Sequence, residues 1–447
     1  MKRRTFIYLG LGLCLLLASL FFVQRFLAQT LESEKVRNLI SARTGYVLGG
    51  ESGYLPLQAR GFSIFTRGFV GTGASPRALR EIRVAGLTAH FSLIELWRGK
   101  WRIDNVAARH AQIAFGPAAA RLLDRAEIPQ PTLVPPAQNE SLMSVDVREA
   151  SIAQTDLFFA DPERDGGAFR GVNTTFRPDG KNLVVQGHGG TFQQAKLPKV
   201  QVTSFHLYYE KPALRVDEGR LALGDKGVIV VKGGFRFEGA ASLDLSLKFE
   251  QCPVGPFLSE TNRGKLSGSF HGDTRLQKTM GAGGDISAAG ALSMQDAVVR
   301  NVAALEKAAG FTGESKLNPL RLDEIRGEYE WIGRKLNVRK LRVEARGVLC
   351  ATGSFIYEKE EIDGTFELGV APAIVAKFPG AKEEVFTRAE DGYLWTTVKI
   401  SGPLARPRDD LKPRLLKALE KHFLGGILSP ILKPAQGARE VLESILP

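Results

Sequence analysis

This sequence is poor in the residues that usually do chemistry. It has three cysteines, Cys14, Cys252 and Cys350, and six scattered histidines in 447 residues, too few for a disulfide framework or a cysteine-based zinc cluster. It contains no GxSxG elbow, no HExxH, no GxxxxGK[ST] and no G-x-G-x-x-G opening a helix, so the common nucleophile, zinc and phosphate-binding signatures are missing. Asp161-Pro-Glu163-Arg-Asp165-Gly166 opens like a calcium loop, but its twelfth position is Val172 instead of a bidentate Glu, and Pro162 interrupts it. His188 and His206 have no ligand-type partner at metal-binding spacing in the sequence. Cys252 and Cys350 could pair in an oxidising compartment, and two inert thiols are the simpler reading. These absences predict a protein that is not an enzyme, with no metal site and no cofactor.

What is abundant is apolar and glycine-rich. Hydrophobic residues are 44% and charged residues 24%, a composition that folds. Forty-eight glycines ask for many turns, and 60 Lys and Arg against 48 Asp and Glu leave a charge of +12, which suits an anionic surface. The basic residues are spread along strand-like runs with no aromatic–basic platform or recognition helix, which argues against nucleic acid.

Thr5 to Gln24 runs without a charge behind Lys2, Arg3 and Arg4, long enough to cross a bilayer and oriented by the positive-inside rule with the N-terminus cytoplasmic. A cleaved signal peptide would need a small-x-small site that is not present, so the reading is an uncleaved anchor spanning residues 1–24 with its cytoplasmic stub. Cys14 follows Leu13, where a lipoprotein site wants a small residue. Next, residues 25–116 are read as a helix from Glu32 to Arg43, ended by Thr44-Gly45, followed by the first strands and a short helical turn over Ser92–Gly99. Residues 117–142, with Pro117, Pro129, Pro131, Pro135 and Pro136, cannot lie inside a regular sheet and read as a linker or loop, the clearest internal boundary.

Residues 143–400 alternate apolar and polar with period two. Leu243, Leu245, Leu247 and Phe249 alternate without a fault, as do Phe366, Leu368 and Val370. Glycine pairs at Asp179-Gly180, Glu218-Gly219, Asp225-Lys-Gly227, Gly233-Gly234, Gly283-Gly284 and Asp363-Gly364 read as hairpin turns. A short amphipathic helix is predicted from N-cap Asn301 to Gly310. The tail 401–447 carries eight basic against five acidic residues and holds an amphipathic helix from Asp409 with Leu411, Leu415, Leu416, Leu419 and Phe423 on one side. It could lie on an anionic membrane face or pack against the end of the sheet.

The predicted fold class is therefore mainly β: a long curved antiparallel sheet, with an N-terminal transmembrane helix and a few short amphipathic helices. A sheet with one apolar face must hide it, against a second sheet or by curling into a trough. Sequence periodicity leaves both open. In the trough, Leu243, Leu245, Leu247, Phe249, Phe366, Leu368 and Val370 point inward and would meet acyl chains.

Two stretches carry a resemblance. Lys35 to Gly45 with Ile82-Arg-Val84 and Leu93 through Val106 looks like the start of AsmA-family envelope proteins. Gly290 to Gly310, Leu320 to Tyr329, Leu336 to Val343, Gly353-Ser-Phe and the closing Ile400-Ser-Gly-Pro-Leu-Ala-Arg-Pro407 resemble that family's C-terminal region, here about 285–400. The resemblance implies a Gram-negative inner-membrane anchor with a periplasmic β-groove related to bridge-like lipid transfer proteins. Its partners would be the inner membrane, glycerophospholipids or other acyl lipids and envelope proteins, and its role phospholipid transport and outer-membrane biogenesis. The competing expectation is an anchored scaffold or assembly factor for outer-membrane proteins that moves no lipid.

Overall fold

The computed structural model describes residues 32–73, 79–91, 102–126, 128, 130–136, 146–159, 166–195, 197–237, 241–279, 285–404 and 406–425. The expected anchor Thr5–Gln24, the helical turn over Ser92–Gly99, the Asp161–Asp165 run, Cys14 and the Gly283-Gly284 turn lie outside them. Among the described residues, no helix is long and apolar enough to cross a membrane. Antiparallel strands dominate, and the chain forms two compact units that part between Lys211 and Pro212.

The N-terminal unit opens with α1 (Glu34–Leu48), capped by Ser33, whose side chain accepts from the Val36 N–H at 3.4 Å. This helix does not stop at Thr44-Gly45. Thr44 returns its hydroxyl to the Ile40 carbonyl at 2.9 Å, and the left-handed residue that ends the helix is Gly49, at φ 71°. Gly45 is needed for close approach instead, since a Cβ there would stand 2.5 Å from the Gly50 oxygen.

The strands of this unit are β1 (Ser52–Tyr54), β2 (Leu57–Arg60), β3 (Ser63–Thr72), β4 (Leu79–Phe91) and β5 (Arg102–Phe115). After the short helix α2 (Pro117–Ala120) come β6 (Asp146–Val147), β7 (Ala150–Phe159), β8 (Gly167–Asp179), β9 (Asn182–His188), β10 (Thr191–Gln194) and β11 (Val200–Glu210). Strand β5 pairs in parallel with β6 and β7, which requires a crossover connection, and the proline-rich segment supplies it. It is no spacer between domains. Ile128, 1% exposed, packs on Val70 and Ala85, and Val134 bridges Ser52 through two backbone bonds. Arg83, 2% exposed, pins the segment by donating to Glu81 Oε1 (2.6 Å), the Ile128 carbonyl (3.2 Å) and Gln130 Oε1 (2.7 Å).

The C-terminal unit is a meander. Strands β12 (Ala213–Leu223), β13 (Gly227–Arg236), β14 (Ser242–Pro253), β15 (Leu266–Thr279), β16 (Ile286–Val299), β17 (Leu320–Ile332), β18 (Lys335–Ala345), β19 (Leu349–Glu358) and β20 (Glu361–Val370) each pair antiparallel with the next. Strand β22 (Tyr393–Pro403) follows β20, with β21 (Arg388–Glu390) and β23 (Arg408–Asp409) along it. The helices lie in the connections at one rim or after the last strand: α3 (Glu260–Arg263), α4 (Ala303–Thr312), α5 (Pro372–Val375), α6 (Ala381–Glu384) and α7 (Leu411–Gly425). Register shifts at Val216/Gly219, Phe249/Cys252, Ser267/Ser269, Arg326/Glu328 and Val338/Leu341 bend the strands and increase their twist.

Several predicted boundaries move for physical reasons. Helix α4 starts at Ala303 and ends at C-cap Gly313, so Asn301 is not its cap and Gly310 lies inside it. Asp179-Gly180 and Asp225-Lys226 do turn between strands, whereas Glu218-Gly219, Gly233-Gly234 and Asp363-Gly364 sit within β12, β13 and β20. At Gly233, φ is 131° and a Cβ would approach the Asp244 oxygen to 2.1 Å, so glycine lets β13 and β14 pair there without a turn. The predicted tail helix is present as α7, and it packs on the sheet.

Candidate functional site: the apolar face of the C-terminal sheet

Directly opposed residues in a sheet share a face, so the pairings trace one surface across strands. Leu245 opposes Gly233 on one side and Leu276 on the other. Leu276 opposes Ala288, Ala288 opposes Trp331, and Trp331 opposes Leu336. Leu336 opposes Tyr357, and Tyr357 opposes Ile362, which shares its parity with Phe366, Leu368 and Val370. All seven residues singled out from the sequence therefore stand on one face of one sheet. Sequence reading missed most of the surface between them, such as Phe270, Leu292, Val338 and Phe355. The bulges break the alternation along these strands, and a bulge shifts the parity of every residue beyond it.

The seven are neither buried nor free: each is half-buried. Phe249 meets Phe270 (ring centroids 5.4 Å apart), which in turn meets Phe257 (5.5 Å), and Phe355 lies 6.4 Å from Phe366. Leu368 and Val370 differ from the other five, because they pack against the core made by Val375, Val385, Phe386, Leu411, Leu415 and Leu419. A sandwich core would bury Leu243, Leu245, Leu247 and Phe249 as fully as that helical cap buries Leu394 and Val398.

Polar groups on this face satisfy one another. The Tyr329 hydroxyl reaches Thr274 Oγ1 at 2.6 Å across Gly290, which stands between them in the register. Burial pushes the Tyr329 phenol up, with the Thr274 bond acting the other way. The opposite face is charged. Arg275 donates twice to Asp244 (2.6 and 3.0 Å) and holds that carboxyl below the ordinary range, and Arg342 donates to Glu344 (2.8 Å). A depression of about 860 Å³ crosses β15 to β19 and is lined from both parities, by Gly272, Leu292, Gly327, Leu341 and Gly353 of the apolar face and by Asp273, Arg326, Glu328, Arg342 and Thr352 of the charged one. Its ionic residues are largely engaged with partners, Lys340 with Glu328 at 2.7 Å and Arg342 with Glu324 at 3.3 Å.

Among the described residues, no group of three or more His, Cys, Asp or Glu gathers as a metal site. His188 is exposed at the end of β9, and His206 is half-buried in β11. Cys252 and Cys350 are buried free thiols on β14 and β19, both pushed up in pKa by burial. The arrangement offers an apolar surface backed by paired charges. No family model, curated protein or solved structure matches this chain.

Proposed function

We propose that this protein binds and transfers acyl lipid as an inner-membrane-anchored periplasmic protein of the AsmA-like type, acting in phospholipid transport and outer-membrane biogenesis. The observation that supports this most is the half-exposed apolar face running from β12 to β20 with a charged face behind it. Apolar side chains left half in water gain about 25 cal/mol for each Å² covered, and an acyl chain is a cover of the right chemistry. Thr274 and Tyr329 bond to each other, so this part of the face selects chains by their apolar length more than by headgroup. Headgroups would remain at the rim, in water. The uncharged run Thr5–Gln24 would hold the chain to the inner membrane, with the N-terminus cytoplasmic.

Photocrosslinking in cells tests the reading. A photoreactive residue at Leu245 is expected to capture phospholipid, and one at Lys248, on the charged face of the same strand, to capture none. Equal labelling at both positions, or protein adducts alone at Leu245 as the scaffold reading predicts, would overturn it.

A further inference from the structure

The two rims of the C-terminal sheet are built differently. On one rim the connections carry α3, α4, α5 and α6, and the larger of these bury their apolar side chains in two clusters with the sheet. Along the other rim stand the ends of β13, β16, β17, β19 and β22. Beside each of the five, a large apolar side chain stands in water: Phe237, Ile286, Trp331 with Ile332, Ile356 and Leu404, between 39% and 56% exposed. Among the described residues of this unit, the one other exposed large apolar side chain is Phe257.

Lining of the apolar face does not account for these residues. Ile286 and Trp331 share the parity of that face, but Ile332 and Ile356 point to the charged side, so the rim is apolar on both sides of the sheet. Exposed Arg236, Arg334, Lys335, Lys359, Arg406 and Arg408 accompany them, against Asp285, Glu358, Glu360 and Glu361. Trp331 also has its indole N–H occupied by the Gly333 carbonyl at 2.8 Å, so its ring presents an apolar surface at the tip. Successive tips on one rim are two strands apart, about 10 Å, which makes a row and not a single protrusion.

Apolar tips with an aromatic ring among long basic side chains match the interface of a bilayer, where acyl chains accept the tips and phosphates accept the cations. We propose that this rim docks on the surface of a phospholipid bilayer that receives what the apolar face carries. The inference rests on the lipid-binding reading for its choice of partner.

The test uses the full chain reconstituted in nanodiscs and fluorescent phosphatidylethanolamine–phosphatidylglycerol vesicles, measuring vesicle capture after flotation. The triple variant Phe237→Asp, Ile332→Asp and Leu404→Asp changes positions 49%, 50% and 56% exposed, and an unaltered thermal melt by circular dichroism checks that the fold is kept. This variant is expected to capture at least about tenfold fewer vesicles, as removal of three inserting side chains predicts, with phospholipid labelling at position 245 unchanged. The triple serine variant, which adds no charge, is expected to fall in the same direction. Undiminished capture by either variant, absence of capture by the unmodified chain, or loss of capture together with the label at 245 would overturn the rim. Capture that persists in a chain showing no label at 245 would remove the groove reading and leave the rim standing.

Discussion

Two stretches of the C-terminal sheet have the same sequence pattern and different surroundings. Leu243-Asp-Leu-Ser-Leu-Lys-Phe249 and Phe366-Glu-Leu-Gly-Val370 both place apolar residues on one face. Over β20 and β22, helices α5, α6 and α7 cover that face, so Leu394 and Val398 are buried and Leu368 and Val370 join them. Over β14, the same face is half in water. Alternation therefore decides which way side chains point, and the helices decide where the face is closed. The outer edge of β22 is closed as well. Arg414 donates to the Thr397 carbonyl (2.6 Å), Asp410 accepts from the Lys399 N–H (2.7 Å), and β21 and β23 pair with the ends. The cap thus hides both the apolar face and the strand edge that could recruit another chain.

Matched leucine truncations are the strongest way to break this contrast. Leu415→Ala, in the cap, is expected to cost about 3 kcal/mol in urea unfolding, the ordinary loss for a buried leucine. Leu245→Ala, on the open stretch, should cost about 1 kcal/mol, since less burial is lost. Equal losses would mean that the open stretch is packed as tightly as the cap. An effect of about the size of the open-stretch truncation is expected at Thr274→Val, which leaves the Tyr329 hydroxyl without its partner and should cost about 1 kcal/mol. Adding Tyr329→Phe should recover part of that loss, and a double-mutant cycle measures the coupling.

The smallest effect concerns pH. Tyr329 holds its proton more tightly when folded, so its contribution to stability is present below the ordinary tyrosine range near about pH 10 and is lost as pH rises through the folded value. Tyr329→Phe should therefore flatten the loss of stability above about pH 10, and unfolding midpoints across that range give the slope. An unchanged slope would mean that the phenol on the open face is already solvated.

Much of the fold was legible because period-two alternation is strong and local. Strand β14 and helix α7 follow directly from the spacing of their leucines. Glycine was less informative. Gly233-Gly234 and Asp363-Gly364 have turn composition but lie within strands, where neighbouring backbone or a ring comes too close for a side chain. The proline-rich stretch was legible as irregular, yet its place over Val70 and Ala85 depends on a parallel pairing between β5 and β7 that no local pattern announces. The candidate site divides in the same way. Its seven residues were visible within two strands, but their union on one surface runs through six intervening pairings and several register shifts.

By itself, then, the sequence determined that the chain is mainly strand, that each strand has one apolar side, and that the last helix has an apolar stripe seeking cover. These are consequences of side-chain spacing, which each segment carries alone. Only the tertiary structure decided that the stripe closes the β20–β22 end, that the face before it stays half-exposed, and that the ends of five strands bring exposed apolar side chains to one rim. Burial is a property of what a side chain meets, and the partners here are supplied by strands and helices distant in sequence.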